Sequence, residues 1–275
     1  MMYPAERHAA ILDAARRTGG EVSVQHLVEL LEVTPETVRR DLGALERRGL
    51  LRRRHGGAVL TARAPFESPL SLRGLAESAE RRAVAEAVVA VLPEEGSVLL
   101  DSGTMTLEIA RTLAARATGG SLLVVTTSLP VALLLARHPR LDALLLPGRV
   151  RAVTQAVVGA ATEQRLTELQ VDAAVLGANG VTPGRGAFTT VPEEAAVKER
   201  MLGAAGHRIL AVLASKFDSP SFSRFATLDR FDTVVTDTRL DTELAARVED
   251  DGPELVLAGE HPGSRSTSIP KGIHV

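Results

Sequence analysis

Thr34-Pro-Glu-Thr-Val-Arg-Arg-Asp-Leu42 decides how the first sixty residues are read. Thr34 is a good helix N-cap and Pro35 suits a first helical position, while Gly49 falls just past the end. At about 100° per residue, Val38, Leu42 and Leu45 share one face and point to a small core. Glu36, Arg39, Arg40, Gly43 and Arg47 lie on the opposite, exposed side, with Thr37 at the flank. Upstream, Glu32-Val33 makes a tight turn after a short helix capped by Ser23 and carrying Leu27, Val28, Leu30 and Leu31. Pro4 opens a first helix over Ala5 to Arg17, with a stripe of Ile11, Leu12 and Ala15, and Thr18-Gly19-Gly20 ends it. Helix, short turn and capped helix is the helix-turn-helix pattern.

Downstream, Leu50 to Arg54, then His55-Gly56-Gly57, then Ala58 to Leu60 reads as a β-hairpin with a glycine turn. Such a wing lays Arg52, Arg53 and Arg54 along a phosphate backbone. Charge supports this division. The whole chain carries a net −2, but residues 1–63 hold 11 Arg and 8 acids. Between Arg39 and Arg54, seven arginines face only Asp41 and Glu46. A basic cluster on a mildly acidic chain marks a nucleic-acid module joined to something else. In a recognition helix the N-terminal residues meet base edges, where an Arg fork reads guanine and Thr meets a phosphate or a thymine methyl. The candidate DNA contacts are Thr34, Glu36, Thr37, Arg39, Arg40, Arg47, Arg52, Arg53, Arg54 and His55.

The opening stretch, followed by Leu45-Glu-Arg-Arg-Gly-Leu-Leu51 and His55-Gly-Gly-Ala58, resembles the DeoR family of bacterial transcriptional regulators.

Thr61 to Leu72, with Pro65 and Pro69, has no sustained period and reads as a boundary. The expected organisation is a winged helix-turn-helix domain at 1–60, a linker at 61–75, an α/β domain at 76–258 and a disordered tail at 259–275. From Ala76 to Leu92 runs an apolar-rich helix ended by Pro93, after which strands and helices alternate to Leu257. That alternation predicts a mostly parallel, three-layer α/β sheet. Its ligand crevice lies at the carboxyl ends of the strands, where small polar residues collect. Asp101-Ser-Gly-Thr104 closes a strand and opens a helix, an arrangement whose amides suit a phosphate. Thr126-Thr-Ser128 repeats it, and Gly148-Arg149, Gly177-Ala-Asn179-Gly180 and Ser215-Lys216 follow further strands. Glu194 and Lys198 are four apart on one helix face, which alone is equally an ordinary surface ion pair.

Here the resemblance continues. Asp101-Ser-Gly-Thr104, Thr126-Thr-Ser128, Gly148, Glu194-Ala-Ala-Val-Lys198 and Ser215-Lys-Phe217 look like the DeoR sensor domain, which is similar to the ribose-phosphate isomerase fold. The resemblance implies binding of a phosphorylated sugar or related metabolite at Asp101, Ser102, Gly103, Thr104, Thr127, Gly148, Glu194, Lys198 and Lys216. It also implies a homodimer or homotetramer that binds double-stranded operator DNA and represses a sugar or polyol operon. The lack of cysteine, of a signal core and of a membrane-length apolar run leads to the expectation of a cytoplasmic protein. Pro147, Ala214 and Met105 depart from the family pattern.

A second reading is an enzyme, a sugar-phosphate isomerase or deaminase with an ancillary DNA module, for which Asp101 and Glu194 are the candidate carboxylate bases. The sequence supplies no other sign of chemistry. It has no cysteine, scattered histidines without metal-ligand spacing, no Gly-x-x-x-x-Gly-Lys loop and no Gly-x-Ser-x-Gly elbow, so neither a metal nor a cofactor is expected. No apolar run approaches membrane-helix length, and the N-terminus lacks an apolar signal core.

Overall fold

A computed structural model describes residues 4–18, 20–47, 50–60, 77–117, 122–219 and 221–259. Gly49, the 61–75 linker and the tail beyond Gly259 lie outside the described residues. The chain divides into two compact units, Met1–Ser78 and Ala79–Val275.

The first unit contains α1 (Pro4–Arg17), β1 (Glu21–Ser23), α2 (Val24–Leu31), α3 (Pro35–Arg47), β2 (Leu51–Arg54) and β3 (Gly57–Leu60). The caps act as their residue types require. Ser23 is extended and its hydroxyl accepts from His26 N at 3.1 Å, starting α2. Glu32 ends it in the left-handed region, φ 50°. Thr34 Oγ1 accepts from Thr37 N at 3.3 Å ahead of Pro35. Val38, Leu42 and Leu45 close the core with Ile11, Leu12 and Leu27.

The wing departs from expectation in two details. Its turn has only two residues, His55 and Gly56, because Arg54 pairs with Gly57, which is already a strand residue. Gly56 takes φ 77°, open to glycine at no steric cost. The hairpin also gains a third strand, since β1 pairs with β3 in the order β1-β3-β2. That pairing brings Val22 O so close to Gly57 that a Cβ there would sit 2.1 Å from it.

One charged residue of α3 faces inward. Asp41 is 3% exposed and accepts from Arg7 Nε at 2.6 Å and Nη2 at 3.2 Å, with His8 Nε2 also 3.2 Å away. The Asp41 hydrogen bond holds the Arg7 guanidinium above its ordinary value against the opposing effect of burial. This buried pair fixes α3 against α1.

The second unit begins with α4 (Ser78–Val91), β4 (Gly96–Leu100), α5 (Thr104–Arg116), β5 (Leu122–Thr126), α6 (Leu129–Leu135) and β6 (Leu141–Leu145). A short hairpin, β7 (Arg149–Val150) and β8 (Val157–Val158), precedes α7 (Ala160–Thr167), β9 (Val171–Leu176), β10 (Gly180–Thr182) and β11 (Gly186–Thr189). Then come α8 (Pro192–Gly203), β12 (Ala205–Ala211), β13 (Ser223–Ala226), β14 (Thr233–Asp237), α9 (Thr242–Asp250) and β15 (Glu254–Ala258).

Seven strands form one sheet in the order β15-β14-β12-β9-β4-β5-β6, every neighbouring pair parallel. Successive residues point to opposite faces. Val98 and Leu100 pack with Val84, Ile109 and Val131 of α4, α5 and α6. Leu99 and Val125 pack with Leu166, Met201 and Val248 of α7, α8 and α9. These are the three layers. Among the described residues of this unit, the antiparallel strand pairs are the β7-β8 hairpin and a small sheet, β10-β11-β13. The chain lays β4, β5 and β6 to one side and β9, β12, β14 and β15 to the other. The reversal falls between β4 and β9, and a crevice opens at such a point beyond the strand ends.

Candidate functional site

On the first unit, a concave strip runs between α3 and the hairpin, lined by Arg39, Arg53, Arg54, His55 and Gly56. It continues over Glu36, Thr37 and Arg40 at the start of α3. The strip therefore gathers seven of the ten sequence candidates. Of the other three, Thr34 is occupied as the cap, with Oγ1 also 3.0 Å from Thr37 Oγ1. Arg47 lies exposed at the far end of α3, and Arg52 stands on the hairpin face opposite Leu51 and Arg53. Glu46 on α3 accepts from Arg53 N at 2.9 Å, tying the wing to the helix beside it. Glu36 and Arg39 form an exposed pair, Oε2 to Nη1 3.3 Å.

On the second unit, Asp101 follows β4 and Gly177 follows β9, so both stand at the reversal point. Lys198 of α8 reaches between them. Its Nζ donates to Asp101 Oδ2 and, at 2.9 Å, to Gly177 O, while Gly177 N donates to Asp101 Oδ2 at 3.3 Å. The ammonium also lies 5.2 Å from the centre of the Phe225 ring. Both partners are buried, Lys198 at 4% and Asp101 at 2% exposure. Burial pushes the Asp101 carboxyl above its ordinary value; Lys198 and the Ser102 amide oppose that, and neighbouring Glu194 adds to it.

Glu194, the other carboxylate singled out from sequence, is also buried and has different partners. Arg151 donates to its Oε1, Thr154 Oγ1 lies 2.7 Å away and Thr189 Oγ1 3.3 Å away. Thr189 Oγ1 is in turn 3.1 Å from Asn179 Oδ1. The surface-pair alternative for Glu194 and Lys198 is thus corrected, because each is buried and bound to a partner from a distant segment. Arg151, Thr154 and Thr189 were not singled out from sequence.

Thr127 follows β5 level with Asp101, since Leu100 pairs with Thr126. By alternation, both face the α8 side. The Thr127 hydroxyl is buried and has no hydrogen-bond partner, although its backbone carbonyl accepts from Val157 N at 2.7 Å. Beside them, Ser102 and Gly103 lead into α5. Gly103 is its N-cap at φ 146° with no side-chain cap, leaving the first amides of α5 for another acceptor. Gly148 serves packing, since a Cβ there would lie 2.2 Å from Thr162 Oγ1. Lys216 ends a 3-10 turn, Ala214–Lys216, beyond β12 and is half-buried. Among the described residues no cluster of His, Asp or Glu is placed to hold a metal ion, and no helix is long and apolar enough to cross a membrane.

Comparison with known proteins matches residues 7–64 to the DeoR-like helix-turn-helix domain and residues 76–238 to the DeoR C-terminal sensor domain. The chain is 33% identical to the HTH-type transcriptional regulator GlpR of Haloferax volcanii, over 93% of this chain and 98% of that one. It is 31% identical to the lactose phosphotransferase system repressor of Lactococcus lactis, covering 87% and 93%. Ribose 5-phosphate isomerase A from Neisseria gonorrhoeae overlaps in structure with TM-score 0.37 and 17% identity, over 54% of this chain and 55% of that one.

Proposed function

The chain belongs to the DeoR family of transcriptional regulators, and from that premise we propose that it represses a sugar or polyol operon and leaves its operator when a phosphorylated sugar or related metabolite binds. The first unit holds double-stranded DNA; the second holds the effector and, as a cytoplasmic homodimer or homotetramer, pairs two reading heads. A ligand releases DNA only by binding the DNA-incompetent state more tightly.

The observation that carries this reading is the Thr127 hydroxyl, buried and unpartnered at the end of β5, one strand from the end of β4, where α5 begins without a side-chain cap. Buried hydroxyls are normally satisfied; those of Thr127, Thr190 and Thr236 are not, and Thr127 stands level with Asp101 with a donor to give to a bound acceptor. The α5 amides and Thr127 receive the phosphate oxygens, Lys216 supplies charge from the rim, and Asp101 and Glu194 receive sugar hydroxyls. The relatives favour a sensor over an isomerase, since those that the chain matches over most of its length include a transcriptional regulator and a repressor.

Thr127→Val tests it without harming the fold, because the change removes a hydroxyl that makes no bond. Expected is unchanged or slightly higher thermal stability and unchanged operator binding. A hydrogen bond to a charged group is worth about 1.5–3 kcal/mol, so effector-induced DNA release should need roughly 10- to 100-fold more ligand. The assay is fluorescence anisotropy of labelled operator titrated with glycerol 3-phosphate, fructose 1-phosphate and related sugar phosphates. Release of the variant at wild-type concentrations places the effector elsewhere.

A further inference from the structure

Glu36 is an anomaly on the DNA-facing strip. Its side chain is 87% exposed, it stands among Arg39, Arg40 and Arg53, and it faces a polyanion. Two ordinary accounts exist for an acid at this position. A carboxylate in the first turn suits the helix dipole, and an exposed i,i+3 pair with Arg39 adds a few tenths of a kcal/mol. Neither makes any demand on the DNA sequence.

The chemistry of the pair does. Arg39 offers two parallel donors and Glu36, 3.3 Å from Arg39 Nη1, offers an acceptor. Across the pair the order is therefore donor, donor, acceptor. In the major groove a G·C pair presents N7 and O6 of guanine as acceptors and then N4 of cytosine as a donor, which is the exact complement. An A·T pair presents acceptor, donor, acceptor, and meets the pair with mismatched groups at two places. Residues 36 and 39 also lie in the first turns of α3, the part of a recognition helix that reaches base edges. Asp41, clamped by Arg7, fixes that helix in the domain, so the pair is presented on a rigid element.

We propose that Glu36 and Arg39 act as one reading unit for a single G·C base pair in each half-site, Arg39 donating to guanine N7 and O6 and Glu36 accepting from cytosine N4. The proposal rests on the DNA-binding role of the first unit. It makes Glu36 a specificity-determining residue whose charge costs general affinity and gains discrimination.

The test is selection of bound sequences from a random duplex library by the full chain and by Glu36→Ala, Glu36→Gln and Arg39→Ala. All three substitutions fall on exposed positions, and circular dichroism melting checks that the fold persists. Expected is a motif in which Arg39→Ala and Glu36→Ala relax the same base pair, each losing roughly a five- to 150-fold preference for G·C. Glu36→Gln, which keeps an acceptor oxygen, should retain part of it. Relaxation at different positions, or an unaltered motif in Glu36→Ala, overturns the reading unit. A wild-type chain that enriches no motif overturns it together with the DNA-binding role, whereas a wild-type motif left unaltered by the variants overturns this inference alone.

Discussion

Replacing Lys198 with methionine keeps the stem of the side chain and removes its charge. Asp101, 2% exposed, is then buried without its cation. Breaking such a pair from one side costs about 3–5 kcal/mol. Asp101 escapes part of that cost by taking up a proton. For a carboxyl whose unfolded value is about 3.9, holding a proton costs at most about 4 kcal/mol at pH 7 and about 1.5 kcal/mol at pH 5. The sign follows from the direction: an acid raised in the folded state stabilises fully below its unfolded value, and that contribution is lost as pH rises. The deficit of Lys198→Met relative to wild type should therefore grow from pH 5 to pH 7. Urea unfolding of the full chain, followed by far-UV circular dichroism at pH 5, 6 and 7, measures it. The double variant Asp101→Asn/Lys198→Met removes both charges and should recover most of the loss at pH 7. A deficit that is equal at all three pH values, or a double variant as unstable as the single one, refutes the reasoning. It follows that Lys198 is a poor single-site reporter of effector binding, because its removal disturbs the fold that shapes the crevice.

On the first unit, Arg40→Ala should weaken specific DNA binding by about 1–3 kcal/mol, whereas Arg53→Ala should weaken specific and random duplexes alike and lower the salt slope by about one; filter binding at several salt concentrations separates the two. Gly57→Ala forces a Cβ against Val22 O and should cost about 1–3 kcal/mol of stability with loss of operator binding, seen by thermal melting and gel shift. Burial pushes the Asp232 carboxyl up, but the Arg208 guanidinium and backbone N–H bonds, with the charges of Arg208 and His207, together hold it below the ordinary value. It therefore stabilises above the usual carboxylate range, and the deficit of Asp232→Asn should be full at pH 6 and shrink as pH falls below about 4, measured by urea titrations. Light scattering on the full chain should give the mass of a dimer or tetramer, and a monomer at micromolar concentration would contradict the pairing of heads.

Caps and periodicity made the helices of the first unit legible. Ser23, Thr34 and Pro35 act through their own backbone neighbours, so their effect is written locally. Asp41 was illegible for the opposite reason, since its partner Arg7 is 34 residues away and a charged helix residue reads as exposed. Strand β1 has three residues and one apolar side chain, too little for a period. In the second unit the long parallel strands announced themselves as apolar runs, while β10, β11 and β13 are short and two of them begin with glycine. Asp101, Glu194 and Lys198 stood out through the family resemblance. Spacing suggested that the last two face each other, but tertiary placement gives Lys198 to Asp101 and Glu194 to Arg151, across 97 and 43 residues.

The sheet order has a consequence during synthesis. Because β4 lies at the centre and is made first, the ribosome releases β4, β5 and β6 as a half-sheet whose β4 edge is bare until β9 emerges. Lys198 follows Asp101 by 97 residues, which at about 5–20 residues per second is a wait of roughly 5–20 s. For the part of that interval before β9 is made, the nascent chain presents Val98, Leu99 and Leu100 on an open edge, a template for a neighbouring chain. Asp101 stands at the end of that edge with its charge unpaired, and a charge there discourages a foreign strand from zipping on. The carboxylate that Lys198 later locks is thus, before that, a lone charge at the end of an unpaired edge, in a protein that exists only in part.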